Sequence, residues 1–212
     1  MTRHARGRFI ALEGGEACGK TTQADLLAAR LGALRTHQPG GTGIGIRIRH
    51  LVLDPTSAGL DPRAEALLMA ADRAQHVSEI IRPALEGGRD VVTDRYAGST
   101  LAYQGYGRGL PIDEIRRISD WASRGLWPDL VIFLDVSLEV AARRFSDDRD
   151  RMEAAGDEFH QRVLAGFRAL AAEDAGWVVI DGSGSVEDVG DQVYAAVRER
   201  LGDTGSIKGV DR

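Results

Sequence analysis

At 212 residues, with 43% hydrophobic and 28% charged residues, the chain has the length and mix of a soluble globular protein with a core of useful size. A net charge of -5 argues against a protein that coats nucleic acid and against a basic membrane-surface binder. No apolar run approaches the roughly 20 residues that span a bilayer, and the basic start from Met1 to Arg8 leads into an apolar stretch, Phe9 to Leu12, too short for a signal-peptide core.

Along the chain, apolar runs of strand length alternate with longer stretches of helical period. Arg8 to Leu12 reads as a first strand, and Ala24, Leu27, Ala28 and Leu31 recur at helical spacing up to Gly32. Ala33 to Thr36 is a short second strand, followed by the turn Pro39-Gly40-Gly41-Thr42 and a short helix marked by Ile44, Ile48 and Leu51. A longer helix is predicted from Ala64 to Leu85, closed by Gly87-Gly88. Val91-Val92-Thr93 is a strand ending at Asp94, and Ile112, Ile115, Ile118 and Trp121 form a helical stripe behind Pro111. Leu130 to Leu134 is continuously apolar, the pattern of a strand buried on both faces. Phe159 to Leu170 is a further helix, Trp177 to Ile180 the last strand, and Ser185 caps a final helix through Leu201. The polar tail, about 203–212, is expected to be disordered.

This alternation implies βαβ units: an α/β protein with a five-stranded parallel sheet and helices on both faces, in three layers. No linker, repeat or low-complexity segment interrupts it, so 1–212 is expected to be a single domain. Ligands in such sheets sit beyond the carboxyl ends of the strands. Gly14 to Thr21, Asp94-Arg95 and the arginines after Asp135 all fall there.

Gly14-Gly15-Glu16-Ala17-Cys18-Gly19-Lys20-Thr21 fits G-x-x-x-x-G-K-[ST] in full, after a strand and before a helix. Glycines let the backbone curl so that amides point at phosphate oxygens, and the helix start adds its positive end. Lys20 then supplies a cation to the outer phosphates, and the Thr21 hydroxyl can join a Mg²⁺ shell. The pattern points to a nucleoside triphosphate, with Gly14 to Thr22 as its contacts, and leaves kinases, switch GTPases and motor ATPases open.

The loop Glu13 to Gln23 together with Asp94-Arg95-Tyr96-Ala97-Gly98-Ser99-Thr100-Leu101-Ala102-Tyr103-Gln104-Gly105 resembles the thymidylate kinase family. Pro39 to Thr42, Ala71 to His76, Pro128 to Leu130 and Asp150 to Glu153 follow in the family's order, so the resemblance spans about residues 8 to 200. It implies the P-loop kinase fold, transfer from ATP to dTMP with Mg²⁺, and a homodimer formed through helices flanking the site. One cysteine excludes an internal disulfide and suits a reducing, cytoplasmic setting.

Transfer between two nucleotides brings two anionic groups together, so cations must offset their repulsion. Lys20 and Arg95 are the expected catalytic cations. Arg95, just past a strand end, is implied to hold the acceptor phosphate or the group in flight. Asp94 either orients Mg²⁺ through water, accepts a bond from Arg95, or caps the strand. Glu16, awkward beside bound phosphates, is expected to face the acceptor sugar.

Arg143, Arg144, Arg149 and Arg151 lie in a stretch poor in apolar residues that suits a lid, about 143–153, closing over ATP. Ala17 stands where one form of the family carries a loop arginine. The lid form is therefore implied, with Arg144 and Arg149 as the contributors. The resemblance places Arg73, Thr100, Tyr103 and Gln104 around the base and deoxyribose, with Gln38, Arg49, Met69, Arg95 and Ser99 completing the acceptor set. Met69 replaces the family's usual phenylalanine, and His37-Gln38 its Arg-Glu, which leaves open a kinase for another monophosphate or nucleoside. A P-loop switch is the other rival, but no guanine-reading Asn-Lys-x-Asp is present. Cys18 lies near a helix N-terminus, where thiols ionise readily, and its alkylation is expected to block ATP binding. The five histidines show no metal-ligand spacing.

Overall fold

A computed structural model of the protein describes residues 6–144 and 150–202. The tail predicted to be disordered and Arg149 lie outside them. Five strands, β1 (Phe9–Glu13), β2 (Leu34–His37), β3 (Val91–Asp94), β4 (Leu130–Asp135) and β5 (Trp177–Asp181), form one sheet in the order β2-β3-β1-β4-β5, every pair parallel. β1 and β3 pair with Leu12 opposite Asp94, so the chain leaves both strands at the same level.

The alternation of side chains along the strands sends two sets to two faces. Ile10, Leu12, Ile132 and Leu134 meet α1 (Lys20–Leu31) and α9 (Val186–Leu201) through Ala24, Leu27, Val189 and Val193. On the other face, Phe9 and Ala11 meet Val77, Ile81 and Leu85, while Phe133 packs with Phe159, Val163 and Phe167 of α8 (Asp157–Glu173). β4 is buried over its first five residues, as its unbroken apolar run predicts.

The helix predicted over 64–85 is a longer path in three parts: α3 (Pro62–His76), a π-helical stretch at Val77–Ile81, and α4 (Arg82–Glu86). Pro62 sits in its first turn, and the Asp61 carboxylate caps it by accepting from the amides of Arg63 and Ala64. α2 (Gly43–Leu53) starts at Thr42, whose hydroxyl accepts from the Gly45 amide, and α6 (Ile112–Ser123) starts behind Pro111. The sequence reading missed α5 (Ala97–Thr100), which continues as a π-helical segment over Leu101–Gly107. After β4 a short helix, α7 (Leu138–Ala142), starts at Ser137, whose hydroxyl accepts from the Val140 amide.

Phe167 is fully buried and stacks on Phe133 at 5.4 Å between ring centroids. Phe167→Ala should therefore cost about 3–5 kcal/mol of folding stability, measured as a lowered denaturant midpoint with the slope unchanged.

Candidate active site

The site begins where β1 ends. Gly14 has φ 152°, and a Cβ there would lie 2.7 Å from Cys18 Sγ and 2.8 Å from the Leu134 carbonyl. Only glycine fits so tight a bend. Gly19, in the left-handed region at φ 96°, is the N-cap of α1, and no side chain caps that end. The first intrahelical bond is Gln23 N to Gly19 O. The amides of Lys20, Thr21 and Thr22 are therefore left to face whatever sits at the loop, which is an anion site by construction. The buried Lys20 ammonium donates to Gly15 O at 2.5 Å and approaches Cys18 Sγ at 3.4 Å. A cleft lies in front, lined by the loop, Arg35, His37, Asp94, Arg95 and Arg144.

Arg95 follows β3 and holds φ 67°, a costly conformation for a side chain with a Cβ. Its amide donates to Leu12 O at 2.9 Å, which fixes that turn. The guanidinium turns to the loop: Nη1 donates to Gly14 O at 3.0 Å and to Ser99 Oγ at 3.1 Å, and Nη2 to Glu16 Oε2 at 2.7 Å. It also lies 5.1 Å from the Tyr103 ring centroid. The Tyr103 hydroxyl donates to the other Glu16 oxygen at 2.6 Å. Burial alone would raise the Glu16 carboxyl, but Arg95, Lys20 and that hydrogen bond pull it down to about 2. Glu16 thus stays ionised and holds Arg95 in place. Arg95 itself is opposed by burial yet held well above its ordinary range by Glu16, Tyr103 and Asp94.

A second cavity opens on the far side of this pair. Met69, Arg73, Ser99, Thr100, Tyr103 and Gln104, all from the expected acceptor set, line it together, and Glu16, Gln38, Arg49 and Arg95 border both cavities. Arg73 is anchored by Thr100 Oγ1 at 2.6 Å and Ser119 Oγ at 3.2 Å. Arg49 donates to Pro39 O at 3.0 Å. Three fully buried polar atoms of lining residues, Gln38 Oε1, Asp72 Oδ2 and Arg73 Nε, have no partner. Such atoms are rare in a finished core.

Asp94 does not bond Arg95, which closes one of its predicted options. Its Oδ2 accepts from Thr21 Oγ1 at 2.6 Å. No three His, Cys, Asp or Glu side chains converge into a protein cage among the described residues. Mg²⁺ ordinarily needs no such cage, since phosphate oxygens and waters complete its shell. The Thr21 hydroxyl with the Asp94 carboxylate fits that donor set.

Several expectations need correction. Arg151 is not a lid cation: its Nη2 donates to the buried Glu65 at 2.5 Å and its Nε to Val52 O at 2.6 Å. Arg144 lines the cleft, but its guanidinium is engaged by Gly182 O and Ser183 O at 3.1 and 3.3 Å. Arg143 pairs with Glu139 on the exposed surface. Cys18 is only 2% exposed and packs in the core beneath Gly14, out of reach of an alkylating reagent while the loop is folded.

Other site residues went unnoticed in the sequence. Glu13, fully buried at the end of β1, accepts from Tyr96 N at 2.9 Å and Ser99 Oγ at 2.6 Å, clamping the turn that carries Arg95. Asp72 accepts from Gly40 N at 2.9 Å, and His76 spans Thr36 Oγ1 (2.5 Å) and Gln38 Nε2 (2.9 Å). A neutral ring accepting from Gln38 at Nδ1 and donating to Thr36 at Nε2 satisfies both neighbours.

The profile of the thymidylate kinase family matches residues 12–193. The chain is 48% identical to the thymidylate kinase of Leifsonia xyli subsp. xyli (strain CTCB07), covering 92% of this chain and 96% of that one. It is 49% identical to that of Synechococcus sp. (strain JA-2-3B'a(2-13)), over 91% and 95%, and 46% identical to that of Bifidobacterium longum (strain NCC 2705), over 91% and 98%.

Burial, with help from His37 and Arg73, pushes His76 down to about 4. A free histidine titrates near 6.5, so on acidification the unfolded chain takes the proton first. The stability that His76 contributes is complete above pH 6.5 and is lost as pH falls towards 4. Between pH 7 and pH 5 this loss should be about 2 kcal/mol, and His76→Gln should flatten that part of the profile in denaturant titrations at the two pH values.

Proposed function

This chain belongs to the thymidylate kinase family, and from that premise we propose that it transfers the terminal phosphoryl group of ATP to dTMP, giving ADP and dTDP. The carrying observation is the shared wall: Glu16, Gln38, Arg49 and Arg95 border both the phosphate-loop cleft and the second cavity. An in-line transfer brings the attacking oxygen of one phosphate up to the phosphorus of another, and the presence of Arg95 on the wall between the two cavities supports a role in offsetting their charge.

In this reading the loop amides from Gly14 to Thr22 and the Lys20 ammonium hold the triphosphate. Lys20 turns from Gly15 O towards the outer phosphates once they are present. Arg95, already aimed by Glu16, Ser99 and Gly14 O, holds the dTMP phosphate and stabilises the equatorial oxygens as the bond to the ADP oxygen breaks and the bond to the dTMP oxygen forms. Fixed charge of this kind costs no reorganisation during transfer. Thr21 and Asp94 would hold Mg²⁺, which supplies neutralising charge to the phosphates. Arg144, on leaving the carbonyls of Gly182 and Ser183, and Arg149 would close over ATP and keep water out. Tyr103, its hydroxyl fixed on Glu16, fills the space where a 2′-hydroxyl would lie, while Met69, Arg73, Thr100 and Gln104 surround the base.

We further read the whole of 1–212 as one kinase domain, cytoplasmic and homodimeric. No helix of the described residues is long and apolar enough to cross a membrane. Ile46, Leu51 and Leu67, on the packed pair α2 and α3, are 50%, 55% and 57% exposed, an apolar face beside the acceptor cavity that a second copy would cover.

With ATP fixed, dTMP should have the highest kcat/KM of the common nucleoside monophosphates. A better acceptor would refute the dTMP assignment, and ATP turnover indifferent to every acceptor would refute the kinase. Arg95→Ala should lower kcat by roughly 10²–10³ and should also lower the folding midpoint, because the buried Glu16 carboxylate loses its partner. Sedimentation velocity should give twice the chain mass, and Leu67→Lys should shift it towards the monomer.

A further inference from the structure

Glu65 is a carboxylate with no exposed surface, on α3 one turn before Met69. Four N–H groups from three residues converge on it: Gln104 Nε2 at 2.7 Å, Arg108 Nε and Nη2 at 3.3 and 3.2 Å, and Arg151 Nη2 at 2.5 Å. Burial would raise its pKa, but the bonds from Gln104, Arg108 and Arg151 hold it below the ordinary value, so it is a pure acceptor at neutral pH. A pure acceptor settles the orientation of the neighbouring carboxamide. Gln104 must turn its NH₂ to Glu65 and its Oε1 the other way. Gln104 lines the second cavity, and no described residue donates to its Oε1.

We propose that Glu65 is a positioning residue for base selection: it locks the Gln104 amide so that the acceptor cavity meets a carbonyl oxygen and not an NH₂ group. This rests on the reading of that cavity as the acceptor site. A carbonyl oxygen accepts only, so a pyrimidine with a ring N–H, as the 2,4-dioxopyrimidines have at N3, is matched. Cytosine carries a lone pair at N3, and two acceptors would face each other there. A buried polar group left unpaired discriminates more strongly than a change of shape. Neither Arg108 nor Arg151 needs to touch the substrate for this. They keep the carboxylate ionised, and the carboxylate keeps the amide from flipping.

The test is phosphoryl transfer to dTMP, dCMP and 3-methyl-dTMP by the intact enzyme and by Glu65→Gln, Glu65→Asp, Gln104→Ala and the double variant Glu65→Gln/Gln104→Ala. The wild type should use 3-methyl-dTMP at least roughly tenfold less well than dTMP. Glu65→Gln, whose amide can donate as well as accept, should raise the dCMP:dTMP ratio of kcat/KM by roughly tenfold, chiefly through acceptor KM. Glu65→Asp should keep the wild-type ratio, and in the Gln104→Ala background the effect of Glu65→Gln on that ratio should vanish. Equal loss for every acceptor, or an effect that survives removal of Gln104, would overturn the proposal. If Glu65→Gln does not fold, the wild-type comparison decides: 3-methyl-dTMP used as well as dTMP overturns the proposal, and its rejection supports it. A Gln104→Ala enzyme with unchanged acceptor KM would instead sink the cavity assignment beneath it.

Discussion

Two parallel strands leaving the sheet side by side govern this molecule. Leu12 pairs with Asp94, so the loop after β1 and the residue after β3 emerge at one height and a single strand spacing apart. The bond from Arg95 N to Leu12 O continues that pairing one residue past the sheet. It forces a non-glycine residue into left-handed geometry and in doing so points the guanidinium at Gly14. Sheet pairing therefore sets the distance between the phosphate loop and Arg95, and the flanking helices keep that pairing dry.

Charge placed in such a dry region is costly unless it is paired and hydrogen-bonded. The buried ions here follow that rule. Glu16 accepts from Arg95 and Tyr103, and Glu65 from Gln104, Arg108 and Arg151; Glu13, whose carboxyl burial pushes up, accepts from Ser99 and Tyr96. Each carboxylate fixes a donor that would otherwise have several rotamers. The site is rigid because its anions are satisfied before any substrate arrives, while the unpartnered atoms of Gln38, Asp72 and Arg73 remain beside the cavity.

Much of this could be read from the residues. The phosphate loop is a contiguous pattern whose chemistry is local, and β4 is an unbroken apolar run, so both announce themselves. Arg95 was legible because it directly follows a strand end. Charge composition failed where burial decided the role: Arg151 looks like its neighbours Arg143 and Arg149 in sequence, yet it is sequestered on Glu65. Glu65 reads as one polar residue on an amphipathic helix, and only the fold brings Gln104, Arg108 and Arg151 to it. The stretch 97–107 escaped because Gly98, Gly105 and Gly107 interrupt any helical stripe, and a wide turn has no 3.6-residue period to detect.

That wide turn carries a consequence of its own. In an ordinary α-helix consecutive side chains diverge by about 100°; the π-helical segment, with Arg108 N bonded to Tyr103 O, narrows the angle and lets Tyr103 reach Glu16 while its neighbour Gln104 reaches Glu65. The contacts that fix Glu16 and those that fix the Gln104 amide thereby come from adjacent residues and share one irregularity of the backbone.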